Sequence, residues 1–378
     1  MNVTAKWIIG LSIVIALGAY VVLGDIARED TQGESIVIGF IAPLTGDASV
    51  YGIPKRNTVE LAVSEINKTG GVDGHLLRVI YEDGKCTGGG AVDAAHRLVD
   101  VKEVEVIIGG FCSNESVSAE PITTANDIFL VSAGSSSPDL TDVSPLFART
   151  YPSDASQGAV LANAAFERGW RKIAFIQEQL DYPLGIYRAF AQRFETLGGA
   201  VVVEEFQATE TEFLSYLMRL QVTNPDALFI DTQTAASASR VVEQITELEW
   251  EVPLLISDAP ATDLKFTSAY AEFLEGALAA VVDVDSNNEI FQHLKTQYEM
   301  QYGSLPYANY MQVVYDTVYL LADGIADVGY DATALAAWVR ETEGWSGASG
   351  VVDIGENGDR LGGHHLKSIS DGMLVNIQ

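Results

Sequence analysis

From Ile36 onward, short apolar runs rich in β-formers alternate with stretches of helical spacing. Ile36–Ile41 reads as a strand, and Asn57–Asn67 carries apolar residues at helical intervals through Leu61, Val63 and Ile66. The run TGGVDG at Thr69–Gly74 marks a turn. Leu76–Tyr81, Val104–Ile108 and Ile128–Ser132 continue the strands, with helices expected at Ala91–Val101 and Asn114–Asn126. This βαβα order predicts a parallel, doubly wound sheet with helices on both faces. A second series of the same kind starts near Pro152. Its strands are Lys172–Gln177, Ala200–Phe206, Ala227–Asp231 and Pro253–Ser257, and its helices are Ser156–Arg168, Leu184–Leu197, Glu212–Val222 and Ala235–Leu248. The fold class is therefore α/β with two doubly wound parallel-sheet lobes. The lobes share a pattern and not a sequence repeat. Past Asn287 three more helical stretches lead to a Gly-rich C-terminus, where ENGDR at Glu356–Arg360 suits a tight turn.

A length of 378 residues with 48% apolar and 20% charged positions supports two globular cores. The formal net charge of -30 repels phosphate backbones and sets nucleic-acid binding aside. The acidity reads as a solubilising surface, in a saline milieu or otherwise, in preference to an acidic docking role.

Ahead of the first strand, Lys6 precedes an uncharged apolar run from Trp7 to Leu23, and Asp25, Glu29 and Asp30 follow it. The run has the length of a signal core or a short membrane helix, and its flanking charges place the bulk of the chain outside the cytoplasm. No Cys follows it for lipid attachment, and no small-x-small cleavage site stands out. Residues 1–34 are therefore expected to form an uncleaved anchor helix and a linker; a cleaved signal or a buried core helix is the alternative. In an exported chain, the two cysteines, Cys86 and Cys112, point to a disulfide, with two free buried thiols as the other reading.

Enzyme signatures are absent: no GxSxG, HExxH or Walker A pattern occurs. GKCTGGG at Gly84–Gly90 lacks the Lys-Ser/Thr pair of a phosphate loop, and IGFIAPLTG at Ile38–Gly46 has the wrong glycine spacing for a dinucleotide. His364 and His365 are adjacent and would face opposite sides of a strand, so they do not form a metal pair. No catalytic residue, metal ligand or cofactor is assigned. Small hydroxyl residues instead collect at strand-to-helix corners. CSNES at Cys112–Ser116 opens a helix, with Ser113 expected as its N-cap. SAGSSSPDLT at Ser132–Thr141 ends the next strand. Both corners fall where open α/β sheets bind ligands, although capping and turn chemistry alone would also place them there.

The segments IGFIAPLTGDASVYG, EINKTGGVDG, YEDGKC, IIGGFCSNES, VSAGSSSPDLT and NYMQVVYDTVYLLADGI make the chain resemble branched-chain amino-acid-type solute-binding proteins of ABC transporters, which have the type I periplasmic-binding fold. The resemblance runs from about Ile36 to the C-terminus. It implies two lobes joined by a hinge, with residues 35–151 plus about 284–344 in lobe 1 and residues 152–283 plus about 345–378 in lobe 2. It also implies a Cys86–Cys112 disulfide. For the ligand site it implies Ser113, Gly134, Ser135 and Ser136 around a carboxylate and an ammonium, and Tyr51 as an aromatic lid. Tyr182 and Asp258 would come from the second lobe, Asp258 to pair with the ammonium. Tyr307 would form a further wall, with Tyr310 as its rival. Gln233 departs from the leucine-type pattern, which has Tyr there, and favours a polar side chain or an amide. The implied function is capture of a small molecule, an amino acid or amide, by hinge closure and its delivery to ABC permease transmembrane subunits. A ligand-sensing ectodomain that regulates a partner protein is the alternative, and an enzyme on a similar scaffold the third.

Overall fold

A computed structural model describes residues 35–101 and 104–377. The expected anchor helix lies outside the described residues. The first series comprises β1 (Ile36–Ala42), α1 (Ser49–Lys68), β2 (Leu77–Asp83), α2 (Gly88–Val99), β3 (Val104–Ile108), α3 (Ser113–Ala125), β4 (Phe129–Ser132), a 3-10 turn at Pro138–Leu140 and β5 (Phe147–Pro152). The second comprises α4 (Asp154–Glu167), β6 (Lys172–Glu178), α5 (Asp181–Thr196), β7 (Ala200–Phe206), α6 (Leu214–Gln221), β8 (Ala227–Asp231), α7 (Ala235–Glu247), β9 (Leu254–Ile256), α8 (Asp258–Ala261), α9 (Leu264–Ala269) and β10 (Leu278–Val281). Then come α10 (Glu289–Tyr302), α11 (Ala308–Val328), α12 (Ala332–Arg340), β11 (Trp345–Gly347), β12 (Gly350–Val352), β13 (Asp359–Arg360), β14 (His365–Ser370) and β15 (Met373–Asn376).

The strands form two sheets, in the orders β13-β5-β4-β3-β1-β2 and β15-β14-β10-β9-β8-β6-β7. All neighbours in the first are parallel, whereas β14 and β15 add an antiparallel edge to the second. Parallel strands covered by helices on both faces must be apolar throughout, and β4 (FLVS) and β8 (ALFID) are buried at every position. Side-chain oxygens start several helices by accepting from free backbone N–H groups: Thr87 from Gly90, Ser153 from Ala155 and Thr234 from Ser237. The central helix α11 is buried along most of its length against the first sheet's helices. No described helix is long and apolar enough to cross a membrane.

Beyond residue 345 the structure departs from the expected lobe boundaries. The β11–β12 hairpin is held by Asp316 of α11, which accepts from the N–H groups of Ala348 and Ser349 at 2.6 and 2.8 Å. Strand β13 then pairs with β5 in the first sheet. The chain reaches the second sheet again only at β14. A two-residue strand carries no periodicity, so its partner is chosen by the Arg149–Asp359 ion pair at 2.7 Å rather than by a local pattern. The turn at Glu356–Arg360 is present, closed by Gly358 N–H to Gly355 O and leading directly into β13.

Candidate ligand-binding site

Each sheet has a point where strand order reverses, between β1 and β3 in the first and between β6 and β8 in the second. The carboxyl ends of those strands are where open α/β sheets leave a crevice. The corners singled out in the sequence sit at these ends.

On the first sheet, β1 runs through a short loop into α1, whose first turn carries Tyr51. Gly52 lets this turn press onto Pro43, since a Cβ there would lie 1.8 Å from the Pro43 carbonyl oxygen. Helix α3 opens at the end of β3. Its N-cap is Cys112 and not Ser113, which corrects the expectation. The reason is Glu115, whose carboxylate turns back over the helix end and accepts from the N–H groups of Phe111, Cys112 and Cys86 at 2.8, 3.0 and 2.9 Å. Burial pushes the Glu115 carboxyl up to about 7, and those three N–H groups hold it from going higher. Cys112 is joined to Cys86 by a disulfide.

Freed from capping, Ser113 Oγ accepts from the backbone N–H groups of Ser136 and Ser137 at 3.2 and 3.1 Å and ties the two hydroxyl corners together. Ser135 turns its hydroxyl inward, to Ser116 Oγ at 2.7 Å and to the carbonyls of Gly110 and Cys112 at 3.1 Å each. It shapes the corner and does not face the crevice. The fully buried Arg149 fixes the loop from below, donating to Ser137 O at 2.8 Å and to Asp359.

The second sheet supplies Tyr182 from α5, Gln233 after β8 and Asp258 from α8. Gln233 is anchored through its backbone N–H, which donates to Glu178 Oε2 at 2.9 Å, while its side-chain oxygen is buried without a hydrogen-bond partner among the described residues. Asp258 receives four donors: the hydroxyls of Tyr182 (2.5 Å), Tyr310 (2.7 Å) and Tyr151 (2.8 Å) and the Gln157 amide (3.0 Å). Tyr151 and Tyr310 belong to β5 and α11, so Asp258 joins both sides of the crevice. Burial first, and then the charge of Asp258, push all three tyrosine hydroxyls well above their ordinary value and keep them as donors. Tyr51 adds a second bridge: its OH donates to Ala259 O (3.3 Å) and accepts from Ala235 N–H (3.4 Å).

Between these groups lies a narrow cavity, lined by Tyr51, Phe111, Ser113, Gly134, Ser136, Tyr182, Gln233, Ala259 and Tyr310. The structure thus brings together Tyr51, Ser113, Gly134, Ser136, Tyr182 and Gln233 from both sheets. Asp258 stands behind the wall, reached through Tyr182 and Tyr310. Tyr307 is at the rim, half-buried against Tyr51, with its OH donating to Asp263 at 2.6 Å. Its rival Tyr310 forms the wall itself. Phe111 was not anticipated, and neither was Lys55, a buried lysine on α1. Tyr51, Lys55 and Val59 recur at four-residue spacing on one helix face, and a Lys on that otherwise apolar stripe was a readable signal. Among the described residues, no group of three or more His, Cys, Asp or Glu side chains is placed to hold a metal ion.

The chain matches the periplasmic binding protein family model over residues 35–367. It is 25% identical over 248 residues to an amino acid binding protein of Pseudomonas aeruginosa, an alignment covering 64% of this chain and 66% of that one. With the Leu/Ile/Val-binding protein of Escherichia coli it shares 28% identity over 200 residues, 52% of this chain and 54% of the other. The alignments thus span between half and two thirds of these curated relatives. A solved leucine binding protein from Thermotoga maritima superposes with a TM-score of 0.83 at 26% identity, over 91% of this chain and 98% of that one.

Proposed function

Because this chain belongs to the periplasmic binding protein family, we propose that it captures a small solute between its two lobes and hands it to the transmembrane subunits of an ABC permease. The observation that carries the reading is the shared cavity: side chains from the ends of both sheets converge on one narrow space between them. An amino acid is the favoured solute, in keeping with the named specificities of the relatives. The polar groups fit such a ligand, with Ser113 and Ser136 on one side and the unpartnered Gln233 amide oxygen on the other. Tyr51, Phe111, Tyr182 and Tyr310 would enclose its apolar part. Lobe closure over the solute would exclude water and strengthen each polar contact. The relatives named above are binding proteins, and the solute is expected to return chemically unchanged. The apolar run Trp7–Leu23 would tether the lobes to the outer side of the membrane.

Mass spectrometry of the solute that co-purifies with the folded protein identifies the ligand, and calorimetry then tests the site. Ser113→Ala and Gln233→Leu are each expected to weaken binding at least tenfold, about 1.4 kcal/mol. Unchanged affinity in both variants would remove the site assignment.

A further inference from the structure

Lys55 is 2% exposed, and its ammonium has no hydrogen-bond acceptor among the described residues. A lysine ammonium carries three donors, and burial without a partner is costly. What surrounds it is aromatic: Nζ stands 3.1 Å from the Phe111 ring centroid and 4.9 Å from that of Tyr310. Ring faces offset only part of the lost hydration. Burial pulls the Lys55 pKa well below its ordinary value, and Glu115 and Asp258 only partly oppose this, being already committed, Glu115 to three backbone N–H groups and Asp258 to four donors. The uncommitted donor in this part of the crevice is therefore the Lys55 amine, and an anion brought against it would favour its charged form.

The route from the ligand cavity to Lys55 is short. Phe111 and Gly134 line that cavity and also a second, small and mostly apolar space that Lys55 lines with Ala42, Gly110 and Ala133. Gly134 has to be glycine for the two to meet: a Cβ there would come within 2.2 Å of the Phe111 ring and 2.7 Å of Lys55 Nζ. The Phe111 ring is the partition between the two spaces.

Building on the solute-binding reading, we propose that Lys55 sets the charge class of the ligand: its ammonium pairs with a carboxylate of the solute past the Phe111–Gly134 partition, so the site takes carboxylates and rejects the matching amides. A single ammonium suits a singly charged carboxylate, whereas a doubly charged phosphate would leave one charge buried and unmatched. This chooses the acid over the amide that Gln233 alone would accept.

The test is a panel of neutral amino acids and short aliphatic monocarboxylates, each beside its carboxamide (L-leucine with L-leucinamide, 4-methylpentanoate with its amide). The panel is screened by thermal shift and titrated by calorimetry against the wild type and Lys55→Met. The wild type should bind the acid of a pair at least tenfold more tightly than its amide, and Lys55→Met should bring that ratio below threefold. A merely structural lysine would lower both affinities together and leave the ratio intact. An intact ratio overturns the inference but leaves the binding reading standing, as does a wild type that binds amides as well as acids. If no member of the panel binds the wild type, both fall.

Discussion

His364 illustrates how burial decides a charge state. Its ring Nδ1 lies 2.7 Å from Ser156 Oγ, and its ring packs edge-on to Tyr151. Burial pulls its pKa down to about 4, an effect that the attraction of Asp258 only partly opposes. The folded protein therefore holds the imidazole neutral, while the unfolded chain takes up a proton near pH 6.5. A depressed value of this kind contributes stability above pH 6.5 that is lost as pH falls towards 4. Glu115 works the other way. Its raised value gives stability that is complete below about pH 4.5 and lost as pH rises through about 7. The two oppose each other in wild type, so the informative quantity is a difference between proteins that share Glu115. Between pH 7 and pH 4, wild type should lose roughly 3 kcal/mol more unfolding free energy than His364→Gln. Urea denaturation at both pH values measures it, and parallel pH profiles for the two proteins would refute the assignment.

The corner between β3 and α3 is built by the Cys86–Cys112 disulfide, the Glu115 carboxylate and the Asn114 amide, which donates to Cys86 O at 2.6 Å. Replacing both cysteines by Ser removes a cross-link spanning 26 residues, which should cost about 3 kcal/mol by the chain-entropy estimate. It should also weaken ligand binding, because Ser113 follows Cys112 directly. Thermal melts of the oxidised protein and the double variant would show this, and a melting point shifted by less than a degree would exclude it. The same corner explains what could be read in advance. Strands β3, β7 and β8 follow from continuous β-rich runs between turn residues, and they coincide with the predicted spans. Helix α1 starts earlier than its spacing predicted, because Gly52 and Pro54 look like breakers in isolation. In the fold Gly52 is the residue that permits contact with Pro43. Ser113 was the natural N-cap by local preference, and Cys112 took that place because the Glu115 carboxylate folds back onto its N–H. Lys55 fell in the unassigned first half of α1, so the stripe it shares with Tyr51 and Val59 went unread. Arg149 and β13 depend on a partner 210 residues distant, beyond any local pattern.

Polar contacts join the two sides of the crevice, and Asp258 gathers four of them. It draws Tyr151 and Tyr310 from one side and Tyr182 and Gln157 from the other, and Tyr307 adds a separate bond to Asp263. A carboxylate with four donors gains little from a ligand ammonium, so we assign Asp258 a part in setting the balance between open and closed lobes. A hydrogen bond to a charged group contributes roughly 1.5–3 kcal/mol, less where water replaces it on opening. Removing the Tyr151 and Tyr310 hydroxyls together should then shift that balance by about 2 kcal/mol, near thirtyfold. The Tyr151→Phe/Tyr310→Phe double variant should have a larger radius of gyration by small-angle scattering in the absence of ligand. Ligand should restore compactness, with an apparent affinity weakened ten- to thirtyfold. Lys55→Met separates this role from anion recognition, since it leaves the Asp258 contacts in place and should scatter as wild type does. If the double variant keeps both the wild-type scattering curve and the wild-type affinity, Asp258 is a packing feature of one lobe, and closure must be set by the bridges from Tyr51 and Tyr307 instead.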